Sequence, residues 1–424
     1  MFGQARGAGT RQAPTGIRRA GRLRGGAALG VLVAGMLAGP SIAGPDPATG
    51  GSASLPSGSQ PGRPTIERLY ERGLQHVDLR RLQDLYQELE GDAPGLWGVD
   101  LPGFVRSMGR EGLPGPQAAL EALLGLLVRE LALNVRLLAR VLAVATLGAL
   151  LQQLGRGLGG RGVQEVATAA VVLSLSWLAL QSFGVAAAMV VQAVGHMAAV
   201  AQALIPTLTA ISVPGGVSAA GLALHPLLVG VVSLSADLVR RVVVPALLAG
   251  CAVGVAGCIS AEFPLSRLAR LLQQGAMAAL GLSLTVFLGL VAVKGAMAPA
   301  ADGVALRTVK FVTGSAVPVF GRMMADAVEV VAGASLLLRG VVGAAGTVLV
   351  LVAAVAPAVK LLSIMFVFGV SAALLQPAGD PRVQAVLGVL ADTLGLLLAA
   401  LAATTVLSVV AVATMAQAGA GWIR

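Results

Sequence analysis

From about residue 122 to its C-terminus the chain is a series of long apolar runs, and these decide which solvent it can fold in. A helix of about 20 apolar residues crosses the hydrocarbon core of a bilayer. Inside lipid every backbone N–H and C=O must be bonded within the protein, which leaves helices or a closed barrel. The runs here are continuous rather than alternating, so helices are expected. Composition agrees: 56% of the 424 residues are hydrophobic and 12% are charged, against about 25% charged in soluble domains. Mean hydropathy is +0.85. A soluble enzyme and a disordered chain both fit these figures poorly. The expected fold class is all-α, a polytopic helical membrane protein.

A net charge of +10 invites a nucleic-acid reading, but its distribution argues otherwise. Arg6, Arg11, Arg18, Arg19, Arg22 and Arg24 precede residue 44 with no acidic residue among them. Residues 44–121 hold 7 basic and 11 acidic side chains, and residues 122–424 hold 17 against 9. The basic groups therefore sit in a leader and at the flanks of apolar runs, where they orient a membrane protein. No nucleic-acid partner is expected.

The arginine-rich start leads into a short apolar run, Ala27 to Leu37, and then small residues ending at Ala43. That order describes a secretory signal peptide, residues 1–43, cleaved after Ala43; an uncleaved N-terminal anchor is the alternative. Arg18-Arg19 lacks the pattern of a twin-arginine signal. Residues 44–64 are rich in Gly, Ser and Pro and read as a flexible linker. Residues 65–121 form a small helical extracytoplasmic domain. Within it Asp78 caps a helix whose Leu79, Leu82, Leu85, Tyr86 and Leu89 share a face.

Residues 122–416 are the transmembrane domain and 417–424 a C-terminal tail. Leu131–Leu151 is the first span, and the connection after it, containing Arg156 and Arg161, is expected in the cytoplasm. Val166–Val191 is the second. Ala198–Val217, with Pro206 and Pro214, reads as interfacial or re-entrant. Leu222–Ile259 is interrupted by Asp237, Arg240, Arg241 and Pro245, so two half-length or tilted helices meet there. Ser260–Gln274, with Arg267 and Arg270, is a second cytoplasmic candidate. Ala276–Ala298, Val341–Val359, Leu361–Leu375 and Val386–Met415 follow, with Lys360 at one junction. The total is about seven transmembrane helices. Gly250, Gly254 and Gly257, then Gly340, Gly343 and Gly346, offer smooth faces for close helix packing.

Chemistry-bearing patterns are sparse. Cys251 and Cys258 are seven apart on one helix, roughly 10 Å at 1.5 Å per residue, beyond disulfide reach. His76, His196 and His225 have no metal-ligand spacing around them. No Walker A or HExxH sequence occurs. Gly216-Val217-Ser218-Ala219 and Pro377-Ala378-Gly379-Asp380 each miss a residue of a protease motif. No catalysis, metal or cofactor is expected. The least usual region is Asp302 to Arg339, where Arg322, Asp326 and Glu329 share a helix face at i+4 and i+7. Together with Lys310 they form a candidate polar stripe that lines a conduit or grips a partner; a solvated helix on the bilayer surface is the alternative. The interruption at Asp237, Arg240 and Pro245 is a second candidate site.

Lys310-Phe311, Pro318-Val-Phe-Gly321, Asp326-Ala-Val and Ser335-Leu-Leu-Leu-Arg-Gly-Val-Val-Gly343 resemble the central block of the stage III sporulation protein AE family. Thr285-Val-Phe-Leu-Gly289, Asp302-Gly303, Pro357 with Lys360, and Gln376-Pro377 with Asp380 and Arg382 extend the likeness over nearly all of residues 65–416. The resemblance implies a non-enzymatic, multi-pass subunit of a sporulation-specific secretion or feeding channel joining mother cell and forespore. It also implies residence in the mother-cell (outer forespore) membrane. The implied partners are a cytoplasmic ATPase and ring-forming membrane proteins. An autonomous secondary transporter for a small metabolite is the alternative, and a scaffold that only anchors the rings is a third.

Overall fold

The computed structural model describes residues 116–416, apart from 158–160, 213–218, 260–264, 317–319 and 377–380, together with Gln87. The expected signal peptide, linker, N-terminal domain and C-terminal tail lie outside the described residues. Every regular element among the described residues is helical. They are α1 (Pro116–Gly157), α2 (Arg161–Ser212), α3 (Ala219–Leu238), a π-helical turn (Val239–Val243), α4 (Val244–Ile259), α5 (Ser266–Ala316), α6 (Phe320–Leu374) and α7 (Pro381–Ala416). Proline opens α1 and α7, where its fixed φ suits the first turn and its missing N–H costs nothing.

Among the described residues six stretches are long and apolar enough to cross a membrane: Leu123–Gly148, Ala169–Ile211, Pro226–Cys258, Ser266–Val293, Leu337–Leu374 and Pro381–Ala416. The chain is a multi-pass helical membrane protein. The difference from about seven has a local cause. Val341–Val359 and Leu361–Leu375 are not two spans, because α6 runs through Pro357 and Lys360 without a turn. Ala198–Ser212 is likewise not a separate interfacial piece. It continues α2 through Pro206, with Leu204, Leu208 and Ile211 buried. A proline inside a helix removes one hydrogen bond, and tertiary packing on both sides of these two prolines keeps the helix going.

Helix α6 packs along α7, and both pack on α2. Phe183, Met197 and Leu208 from α2, Leu349 and Phe368 from α6, and Leu390, Leu397 and Val412 from α7 fill this centre. On its flanks α1 lies against α2 and α6, while α4 lies against α5 and α7. Trp177, Leu234, Leu282 and Phe366 point outward, as side chains facing lipid should.

The glycine faces do what their spacing implies, with one exception. A Cβ on Gly254 would come 2.9 Å from Val389 Cγ1 of α7, and one on Gly250 3.2 Å from the Ala269 carbonyl of α5. A Cβ on Gly346 would stand 2.5 Å from Leu204 Cδ1 of α2, and one on Gly343 would collide with Ala416. Gly340 faces open space.

Candidate functional site

A polar seam runs where α1 meets α6, inside two of the apolar stretches. Lys360 Nζ lies 3.3 Å from Glu130 Oε2, with both side chains about a quarter exposed (27% and 26%). One turn along, Asn134 Nδ2 donates to Ser363 Oγ at 3.0 Å and to the Glu130 carbonyl at 2.9 Å. The spacing explains the alignment: Glu130 and Asn134 are four apart on α1, Lys360 and Ser363 three apart on α6, so each pair shares a face. An unpaired ammonium in hydrocarbon costs several kcal/mol, so such a lysine is held against an acid or water. Ser363 and Asn134 are buried, and their mutual bond relieves the desolvation of both.

Further polar contacts pin other helix pairs. Gln273 Nε2 of α5 donates to Thr393 Oγ1 of α7 at 3.0 Å, and Gln202 Nε2 of α2 to Ser233 Oγ of α3 at 3.0 Å. The hydroxyls of Ser235 and Ser283 are 2.7 Å apart between α3 and α5. Within α6, Arg339 is 1% exposed, and its Nε donates to the Ser335 carbonyl at 3.4 Å. The bonds between helices fix registry in a bilayer, where apolar surface alone gives no preference.

The helical turn around Pro245 accounts for the interruption seen in the sequence. Pro245 has no N–H for the Arg241 carbonyl. The Val244 N–H bonds instead to the Val239 carbonyl, five residues back. The slip is a π turn, and the chain passes through it still helical. Arg241 reaches Asp237 at 3.7 Å on the exposed side. Arg240 lies over Gly195 of α2, its Nη1 3.6 Å from where a Cβ would be. A larger residue at 195 would crowd the guanidinium.

Lys310 falls on α5, while Arg322, Asp326 and Glu329 fall on the first turns of α6. The helical backbone keeps Arg322, Asp326 and Glu329 in register on one face. Their side chains, and that of Lys310, lie outside the described residues. The seam residues Glu130, Asn134 and Ser363 were not legible as a site. Lys360 was the single signal, a charge within an apolar run, and its partners come from a distant segment.

Both cysteines are free; Cys251 is buried, and Cys258 Sγ donates to the Gly254 carbonyl at 3.3 Å. Among the described residues no three of His, Cys, Asp and Glu converge as a metal site requires. What the arrangement offers is a set of paired polar groups between membrane helices.

The fold and seam define a polytopic helical membrane protein whose helices are pinned by buried polar pairs. The sequence model described as stage III sporulation protein AE matches residues 103–419. The chain is also 32% identical over 360 residues to "Stage III sporulation protein AE" of Bacillus subtilis (strain 168), covering 84% of this chain and 89% of that one. The chain belongs to the stage III sporulation protein AE family, and is thus a sporulation protein. No solved structure matches it.

Proposed function

We propose that this chain is a non-enzymatic membrane subunit of a sporulation-specific secretion or feeding channel between mother cell and forespore. In this reading it sits in the mother-cell (outer forespore) membrane and supports late forespore development. Residues 1–43 direct export, and residues 65–121 form a helical domain on the intermembrane side. A cytoplasmic ATPase supplies energy, and ring-forming membrane proteins complete the conduit. The observation that carries the reading is the Glu130–Lys360 and Asn134–Ser363 seam inside the membrane body of a sporulation protein. Charge is placed there at a cost that packing alone does not require. Lys310, Arg322, Asp326 and Glu329 are the polar stripe that lines the conduit or grips a partner.

The experiment is capture of a tagged chain from sporulating cells in mild detergent with crosslinking. Recovery of an ATPase and ring-forming membrane proteins is expected; a chain recovered alone overturns the assignment. The second reading, a stand-alone secondary transporter, draws on the π turn at Asp237, Arg240 and Pro245, since irregular membrane helices often bind solutes. Selective uptake by proteoliposomes holding only this chain would establish it.

A further inference from the structure

Helix α1 has a face that neither lipid nor water suits. Arg129, Arg136 and Arg140 are all exposed on it. Spacings of seven and eleven residues bring the three to within about 20° of one line, over roughly 16 Å of helix. Their span is Leu123–Gly148, and Arg136 stands at its middle. From there either interface is about 15 Å away, farther than a guanidinium can snorkel. The opposite face of α1, with Asn134, Val141 and Ala145, is buried against the bundle. Glu130 is committed to Lys360, and no ion pair to the three arginines occurs among the described residues.

Lipid would strand the three guanidiniums, at the greatest cost for Arg136 at the span centre. Water would wet the apolar side chains that share the stripe: Leu133 is 60% exposed and Leu147 58%. A symmetric contact with a second copy would set arginine against arginine. Elsewhere a second copy offers a lone exposed carboxylate on α7, Asp392, Asp237 beside its own Arg241, and Asp326 and Glu329 with Arg322 on the same helix face, so among these no arginine-free helix face carries two carboxylates at the spacing of the three guanidiniums.

We infer that the Arg129–Arg136–Arg140 face of α1 is the docking face for a membrane helix of another protein, one that carries carboxylates within an apolar run at spacings of four, seven or eleven. Such a helix pairs the guanidiniums and covers the leucines together, and desolvation makes those pairs directional.

The test is site-specific photocrosslinking in membranes of sporulating cells, with the photoreactive residue at Leu133 or Leu147 and, as the lipid-facing control, at Leu282. The expected result is a product at positions 133 and 147, absent at 282, whose peptide lies in an apolar helix with at least two carboxylates so spaced. Arg136→Glu should abolish that product and lower spore yield by about tenfold or more, as loss of a desolvated charge pair does. Reversing the facing carboxylate to arginine should restore both. Adducts with lipid alone, with a second copy, or with a segment lacking such carboxylates overturn the inference. So does rapid labelling of Leu133→Cys by a charged water-soluble thiol reagent in the intact assembly, with Cys251 and Cys258 replaced, because that marks a water-lined face. If Arg136→Glu fails to accumulate, the crosslinks of the otherwise unaltered chain still decide. The readout is docking, so it stands or falls separately from the channel assignment.

Discussion

At the scale of residues, Glu130 and Lys360 are worth more together than either is alone. Removing one partner of an enclosed pair leaves the other charge uncompensated, whereas neutralising both can be nearly free. Lys360→Met and Glu130→Gln should each destabilise the protein by about 2 kcal/mol, less than a fully buried pair would lose. The double variant should recover most of that. Thermal unfolding in detergent across the four proteins measures the coupling, and additive losses would show that the pair contributes nothing. The stripe on α6 gives a second test. Asp326→Ala with Glu329→Ala should lower sporulation at unchanged protein level, and unchanged sporulation would remove the stripe from the functional account. Lys360 is visible in the sequence as a charge where an apolar run should not carry one. That it is held by Glu130 is invisible there, because an ion pair between distant helices leaves no periodicity behind.

At the scale of helices, the glycines separate packing from propensity. Val389 is β-branched and stiff where it faces Gly254, and Leu204 is fully enclosed where it faces Gly346. Gly254→Ala and Gly346→Ala should therefore cost about 1–3 kcal/mol through overpacking. Gly340→Ala, facing open space, should be neutral or stabilise by up to about 1 kcal/mol from helix propensity. Unfolding midpoints of the three variants rank the contacts directly. The two glycine rows were legible because small residues three or four apart make a smooth face; which of their members touch a neighbour was not, since that depends on the height at which the helices cross. Prolines and charges mislead in the other direction. Pro206 reads as part of an interfacial or re-entrant stretch and Lys360 as a junction between two spans, yet α2 runs on through Pro206 and α6 through Pro357 and Lys360, because packing along both sides outweighs one missing hydrogen bond. Pro245 did mark a real irregularity, which the backbone absorbs as a π turn instead of a break.

At the scale of the molecule, one crossing by each of the six apolar stretches among the described residues has a consequence that seven would reverse. An even number returns the chain to the side from which it entered. Arg156 and Arg161 flank the first connection, Arg267 and Arg270 open α5, and Arg382 opens α7. Alternation through six spans puts these three groups on one membrane face, and the positive-inside rule makes that face the cytoplasm. The opposite face then receives the connection at 213–218, which has no charged residue, and the segment from 294 to 336. That segment mixes Lys294, Arg307, Lys310 and Arg322 with Asp302, Asp326 and Glu329, and so carries little orienting charge of its own. Alkaline phosphatase fused after Ala416 should be active, and fused within 158–160 inactive; activity reversed at Ala416 would require a seventh crossing. Fusions within 317–319 should be active as well. The block that carries the family's sequence likeness would then lie on the extracytoplasmic side, with the domain expected at 65–121. Under the proposed channel reading, partners that recognise this block would approach it from the extracytoplasmic side, and an ATPase on the cytoplasmic side would have to act through the helices instead of through the block itself.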